Sequence, residues 1–479
     1  MNPQSIVESG AVDLARSLRS GEVGAVEAFE AFRERVEALN PQLNALIRFD
    51  PAVGRAQAVD ADRRLRAGDP APLLGVPFTV KDNLWVEGQT VSQGSQRFEH
   101  FRAPQDAFAV AQVRAAGGVF LGISNCSEFA CKGLTTNKLF GTTHNPYDLA
   151  RTPGGSSGGA AAAVAAGFGP LALCTDGGGS TRRPASHTGV VGMKPTAGLV
   201  PHPVGFAEPV FGNSVVGQMA RCVADVVALL DVIARPSLAD PQGLPMAAWS
   251  RADADPERLP RTLRIAYSPR FGLDVPVDAD VAASVDAAVE RLARDGFRIE
   301  RADPVWPEGA GEAALMPLQL AGLAALYGDA LRRGEWDADA DIAAQIEAGL
   351  RLSGSDVANA LFARDAFYKS FDRFFAQHHL LLTPTTPCTA WPGSQNGPHE
   401  IAGQAVGPRG HAVFTPLINH CFLPACSVPC GLDRQGLPIG LQIVGPRFAD
   451  ARVLALAARV ESLCPHDFSR PVSPAAPTV

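Results

Sequence analysis

The sequence predicts an α/β fold, a sheet covered by helices on both faces, and three observations carry that prediction. Short, nearly continuous apolar runs alternate along the chain with segments of helical periodicity. Gly or Pro marks most of the junctions. The third is size: 479 residues, 46% hydrophobic and 19% charged, are enough to fill a core between sheet and helices.

The elements follow in order. Val26, Phe29, Phe32, Val36 and Leu39 recur at spacings of three and four, one apolar face of a helix. Residues 73–80 form an apolar run ending at Lys81, a buried strand in which Pro77 fits only an edge or a strand start. A helix is expected over 106–116, with Asp106 as N-cap and Gly117–Gly118 as stop. A strand over 119–123, an Ala-rich helix over 159–166 and a strand over 171–175 come next. The Pro-, Asp- and Arg-rich stretch 236–260 reads as an excursion or linker. Then come a helix over 278–295, a strand over 297–300, a largely helical 312–375 and a strand over 380–383. After a Pro-rich 384–392, strands over 426–429 and 439–444 flank a turn at 433–436, and a helix over 449–463 closes the chain.

Composition narrows the function. A net charge of −7 without Lys/Arg runs argues against nucleic acid as a partner. The N-terminus lacks a basic stretch followed by an apolar one, and no apolar run approaches the roughly 20 residues of a membrane span. Nine scattered cysteines suit reduced thiols, so the expected compartment is the cytoplasm. His420, Cys421, Cys426 and Cys430 lack the paired CxxC spacing of zinc sites, and no metal or other cofactor is expected.

Three segments carry chemistry together. They are the 75–83 run holding Lys81, the loop Thr152-Pro153-Gly154-Gly155-Ser156-Ser157-Gly158-Gly159, and the loop Thr175-Asp176-Gly177-Gly178-Gly179-Ser180-Thr181-Arg182-Arg183-Pro184-Ala185. Singly, each reads as a solvated strand end, a flexible loop or a plain turn. Together, framed by strand and helix patterns, the chain resembles the amidase signature family. Glu128-Phe129-Ala130, the 140–146 segment, Gly192-Met193-Lys194-Pro195-Thr196 and the 440–445 segment stand in that family's order, and only about 203–375 matches weakly.

The resemblance implies one α/β/α domain over 1–479 with a large mixed central sheet. An N-terminal helical segment covers about 1–65, the catalytic core about 66–230, a variable substrate-shaping region about 203–375, and a closing core segment about 376–479. It also implies a serine–serine–lysine triad: Ser180 as nucleophile, Ser156 as proton relay and Lys81 as general base, with a cis peptide at Gly155–Ser156. A serine hydroxyl attacks well only when a base takes its proton, and lysine serves as that base only when uncharged. The apolar run before Lys81 is consistent with the burial this requires. Backbone N–H groups of Gly177, Gly178, Gly179 and Ser180 are the expected oxyanion hole, each good donor being worth about 3 kcal/mol. Gly177 stands where relatives often carry a larger residue, which implies a looser loop or a wider pocket. Asp176 and Arg182 read either as a pair bracing the loop or as solvated charges, Cys131 as a substrate contact or as core packing, and Arg183 as a structural or solvent-facing arginine or, as the resemblance to a few relatives implies, a grip for a substrate carboxylate.

The implied reaction is hydrolysis of a carboxylic amide to acid plus amine or ammonia, with esters and carbamates accessible to the same centre. The partner is a small-molecule amide, and a homodimer is compatible with the chain. The main alternative is the glutaminase subunit of a tRNA-dependent amidotransferase. That subunit carries an arginine-rich helix signature from which 346–354 departs, favouring a free-standing enzyme.

Overall fold

In the computed structural model, which describes residues 1–244 and 248–468, eleven strands form one mixed sheet. In chain order they are β1 (Leu46–Arg48), β2 (Pro77–Lys81), β3 (Val119–Ser124), β4 (Leu171–Asp176), β5 (Val191–Lys194), β6 (Val215–Ala220), β7 (Arg264–Tyr267), β8 (Arg298–Arg301), β9 (Leu380–Pro384), β10 (Ala425–Leu432) and β11 (Pro438–Val444). Across the sheet they run β1-β3-β2-β4-β6-β5-β10-β11-β9-β7-β8. β2 lies parallel between β3 and β4, and β7 parallel between β9 and β8. The central pairings from β4 to β9 are antiparallel.

The two-residue period of a strand divides its side chains between the faces, which is why both faces carry apolar cover. On β4, Leu171 and Leu173 enter the largest hydrophobic cluster, while Ala172 and Cys174 enter another with the helix Gly158–Ala166. On β9, Leu380 and Leu382 join the first cluster and Leu381 joins Phe367 and Phe371 of the helix Gly354–Phe375. All nine residues of Gly158–Ala166 are buried, which suits its almost purely Ala/Gly composition.

Most expected elements are present. Pro77 begins β2, where its missing N–H costs no ladder bond, and 73–76 forms turns rather than strand. The 312–375 region contains helices Met316–Arg332, Ala340–Gly349 and Gly354–Phe375. Asp106 does not cap the next helix, which begins at Phe108 after Ala107. Its carboxylate instead accepts from Glu87 N at 2.7 Å and pairs with Arg114 at 3.2 Å. Strands β1, β5, β6 and β7 had no sequence signal of their own. The excursion at 236–260 contains short 3₁₀ turns at Arg251–Ala254 and Pro256–Arg258. Its residues 245–247, and 469–479 of the closing segment, lie outside the described residues.

Gly54 tests how tightly the N-terminal helices pack. It lies in the helix Pro51–Arg66, and a Cβ there would run into the Phe29 ring and lie 3.0 Å from Phe120 O. Helix propensity alone favours alanine over glycine by about 1 kcal/mol. Overpacking a filled interface costs about 1–3 kcal/mol, and the contact with Phe29 has to yield. Gly54→Ala is therefore expected to lower the thermal midpoint, and a midpoint raised by the substitution would refute this packing argument.

Candidate active site

The adjacent parallel strands β2 and β4 end side by side, placing Lys81 next to Thr175 and Asp176. Lys81 is fully buried, and its Nζ donates to Ser156 Oγ at 2.7 Å and to Thr175 Oγ1 at 2.9 Å. Asn83 Nδ2 also donates to Thr175 Oγ1, at 2.9 Å. Burial pushes the Lys81 ammonium below its ordinary value of 10.5, with Asp176 among the groups opposing that shift. Thr175, quoted in the sequence motif without a role, thus proves to be the second acceptor that orients the lysine.

The loop carrying Ser156 is pinned from several sides. Its Gly155–Ser156 peptide is cis. A Cβ on Gly155 would lie 2.6 Å from Gly133 C and 2.7 Å from Leu134 N, so the approach of another backbone demands glycine. Thr135 Oγ1 donates to Gly154 O and accepts from Gly158 N, both at 2.9 Å. Asn145, from the 140–146 motif, donates to Thr152 O at 3.0 Å and His187 O at 2.9 Å.

The loop carrying Ser180 is organised by one ion pair. Arg182 and Asp176 are both fully buried, and the guanidinium forks onto the carboxylate with Nε–Oδ2 and Nη2–Oδ1 contacts of 3.0 Å each. Asp176 also accepts from Gly179 N at 2.6 Å, Thr181 N at 3.2 Å and Asn419 Nδ2 at 2.8 Å. Burial alone would raise this carboxyl, but Arg182, Lys194 and Asn419 together hold it well below the usual carboxylate range. Gln442, from the 440–445 motif, accepts from Arg182 Nη1 at 2.8 Å. The expected brace is present.

One expected oxyanion donor is corrected. Gly177, Gly178 and Ser180 line a cavity shared with Ser156, but the Gly179 N–H is directed at the Asp176 carboxylate instead. Gly179 serves the loop differently. At φ +110°, with Thr415 Oγ1 occupying the place where a Cβ would sit, no side chain fits there. The carbonyls of Gly177 and Gly178 are held by Asn213 Nδ2 and Thr415 Oγ1 at 2.8 Å each, so the glycine loop is anchored rather than loose.

Cys131 and Arg183 lie on the same cavity wall. The Cys131 thiol donates to Phe129 O at 3.2 Å, and burial pushes it up to about 12, which leaves it an inert thiol. Arg183 is only 3% exposed, and its Nε and Nη1 have no hydrogen-bond partner among the described residues. Gln319, Arg409 and residues of the 202–214 segment complete the cavity; the region 203–375 was expected to shape the substrate site, but no sequence signal singled out these residues, and Arg409 lies in the closing segment. Phe129 stacks on Tyr327 with centroids 3.9 Å apart, and Glu128 beside it accepts from Ser95 Oγ at 2.6 Å, Trp336 Nε1 at 3.0 Å and Asp339 N at 2.7 Å. These contacts fasten the helical 316–349 region to the cavity wall.

A cavity at strand ends with a buried lysine–serine contact is the architecture of an acyl-transfer hydrolase, and comparison with known proteins agrees. The model of the Amidase family matches residues 27–454. An acylamidase of Rhodococcus erythropolis is 36% identical over 477 residues, covering 98% of each chain. A glutamyl-tRNA(Gln) amidotransferase subunit of Symbiobacterium thermophilum is 34% identical over 502 residues, covering 96% of this chain and 98% of that one. The structure of a bacterial aryl acylamidase of the amidase signature enzymes superposes with a TM-score of 0.87 at 27% identity, covering 96% of both chains. The chain belongs to the amidase signature family. It is an amidohydrolase acting on C–N amide bonds. No helix among the described residues is long and apolar enough to cross a membrane.

The Asp176–Arg182 pair yields a direct test. Removing one partner of a buried pair strands the other charge and costs about 3–5 kcal/mol. Arg182→Met is expected to lower the thermal midpoint and abolish turnover together. Arg182→Lys keeps the charge but not the fork, so it is expected to lose more activity than stability. Calorimetry and turnover measured on the same preparations decide this. Full activity in Arg182→Lys would show that the fork does not set the loop.

Proposed function

We propose that the protein is a free-standing amidase in which Ser180 is the nucleophile, Ser156 the proton relay and Lys81 the general base. The observation that carries this reading is the fully buried Lys81 Nζ at 2.7 Å from Ser156 Oγ, in a cavity that Ser156 and Ser180 both line. Neutral Lys81 draws the proton of Ser156, and Ser156 draws that of Ser180 as its oxygen attacks the amide carbon. The tetrahedral oxyanion forms against the backbone N–H groups of Gly177, Gly178 and Ser180. Collapse sends the proton back through Ser156 to the leaving nitrogen, freeing amine or ammonia and leaving an acyl-enzyme on Ser180. Water then repeats the path and releases the acid.

Arg183, buried with unpaired guanidinium nitrogens on the cavity wall, fits recognition of a carboxylate on the substrate, and Cys131 packs as part of that wall. The continuous sheet, with strands drawn from Leu46 to Val444, supports reading the chain as one domain. The alternative reading, a glutaminase subunit within an amidotransferase, draws on relatives of nearly equal identity, 34% against 36%. The departure of 346–354 from that subunit's signature favours the free-standing enzyme.

The deciding assay follows amine release from aliphatic, aryl and carboxylate-bearing amides by the wild type and Ser180→Ala. Loss of all turnover with an unchanged thermal midpoint is the expected result, and retained turnover on the best substrate would refute the mechanism. Release of ammonia from glutamine alone would favour the amidotransferase reading. The pH profile is a second check. Only neutral Lys81 accepts a proton, so kcat/KM is expected to rise with pH along a limb centred below 10.5. A profile that falls across that range would exclude the lysine as base.

A further inference from the structure

An amide N–H that faces a cavity without an acceptor is turned there by whatever holds the carbonyl of the same peptide. In a trans peptide the C=O and the N–H share one plane and point in opposite directions. Gly177 and Gly178 are joined by such a bond. Both line the cavity, and the Gly178 N–H has no acceptor among the described residues. A Cβ on Gly178 would meet nothing within 4 Å, so packing does not fix this peptide and the hydrogen bond to its carbonyl must. Asn213 Nδ2 makes that bond, to Gly177 O at 2.8 Å. Asn213 is 1% exposed and lies behind the residues that line the cavity, so it draws the carbonyl away from the cavity and turns the N–H toward it. The next peptide is set the other way: Thr415 Oγ1 holds the Gly178 carbonyl at 2.8 Å, and the Gly179 N–H goes to Asp176.

The register of the sheet brings Asn213 to this place. β4 and β6 run antiparallel with Asp176 opposite Val215, so the residues that leave β4 run back along those that enter β6. Glu208 shapes the turn before Asn213. Its Oε1 accepts from Gly212 N, and although burial pushes the carboxyl up, the amides of Gly212, Ser214, Val210 and Asn213 pull against that shift. On its other side the turn rests on the helix Met316–Arg332, where a Cβ on Gly322 would collide with Pro209 O. Asn213 is thus presented to Gly177 from a turn fixed on two sides.

We propose that Asn213 is a positioning residue of the oxyanion hole: by holding the Gly177 carbonyl it aims the Gly178 N–H at the oxygen that becomes charged when Ser180 attacks. The inference rests on the amidase reading, in which the Gly178 N–H is a donor to that oxygen. Two glycines in succession offer little resistance to rotation of the peptide between them. A hydrogen bond made to the carbonyl before substrate arrives removes that freedom, so the donor needs no reorganisation as charge develops. Asn213 acts through the peptide and does not touch substrate.

The experiment follows the best amide substrate and two inhibitors built on its acyl group, a trifluoromethyl ketone and the matching trifluoromethyl carbinol, in wild type, Asn213→Ala and Asn213→Asp. Ser180 Oγ adds to the ketone carbon, the carbonyl electron pair passes to the ketone oxygen, and the serine proton moves through Ser156 to Lys81. The ketone adduct therefore carries an oxyanion, whereas the carbinol fills the same space without one. Asn213→Ala is expected to lower kcat roughly 100-fold, as a displacement of about 1 Å at the reacting centre does, and to weaken the ketone by a similar factor. KM and the carbinol's inhibition constant are expected to change little, a split that general loosening of the cavity would not produce. Asn213→Asp keeps the size but sets an oxygen against the Gly177 carbonyl, so it is expected to lose at least as much, and it carries the test if the alanine variant does not fold. Equal weakening of ketone and carbinol, or kcat and ketone affinity that stay at the wild-type level, overturns the proposal. Failure of the amidase reading would look different: the wild type would form no ketone adduct, and Ser180→Ala would leave amide turnover intact.

Discussion

The geometry around Ser180 depends on one buried ion pair. Asp176 ends β4 and Arg182 begins the next helix, so the fork between them closes a loop of five residues over a distance the backbone alone would not hold. The same carboxylate takes the amides of Gly179 and Thr181, and Asn419 and Gln442 cross from distant parts of the chain to complete the network. A buried pair is weak evidence for stability, since desolvating both charges offsets much of their attraction. Its value here is directional. It determines which amides of the glycine loop remain for the cavity and which do not.

Lys81 is governed by the same strand ends through the opposite device. It has no carboxylate partner, only the hydroxyls of Ser156 and Thr175, in a sheet interior built from apolar runs. Hydroxyls satisfy the nitrogen's hydrogen bonding without offsetting the cost of a buried charge, so the neutral amine is favoured. Had an aspartate occupied position 175, the lysine would be held as an ammonium and lost as a base. The sheet thus supplies two things at once, a fixed position and a low-polarity setting.

Lys81, Ser156 and Ser180 were legible as candidates only together, through the family resemblance that their three segments carry, since each segment alone reads as a strand end, a loop or a turn. The ion pair was legible too, since six residues across a tight loop leave few other arrangements. The Gly179 amide was not: whether it faces the cavity or Asp176 depends on a φ of +110° that no residue pattern encodes. Strands β5 and β6 escaped notice because glycine and buried polar side chains such as Lys194 and Gln218 interrupt their apolar runs. Arg409 and Gln319 were invisible because they lie roughly ninety residues apart in the sequence, and for Gln319 it is the packing of the 316–349 helices onto Phe129 and Glu128 that brings it to the cavity.

Four basic side chains in and around the site show how partners, rather than burial, decide what a cation does. Lys81, Lys194, Arg182 and Arg183 are all buried. Lys81, facing hydroxyls, is suited to accept a proton. Lys194, whose Nζ donates to Pro195 O, is lowered by burial to about 7, with Asp176 and Asp450 close enough to pull the other way. Arg182 cannot shed its proton and is given Asp176, which makes it a structural post. Arg183 cannot shed its proton either and is given no carboxylate of its own. A lysine in that position could escape the cost of burial by becoming neutral, whereas an arginine cannot. The charge therefore persists at the cavity wall through the neutral range, where a group entering the cavity can answer it.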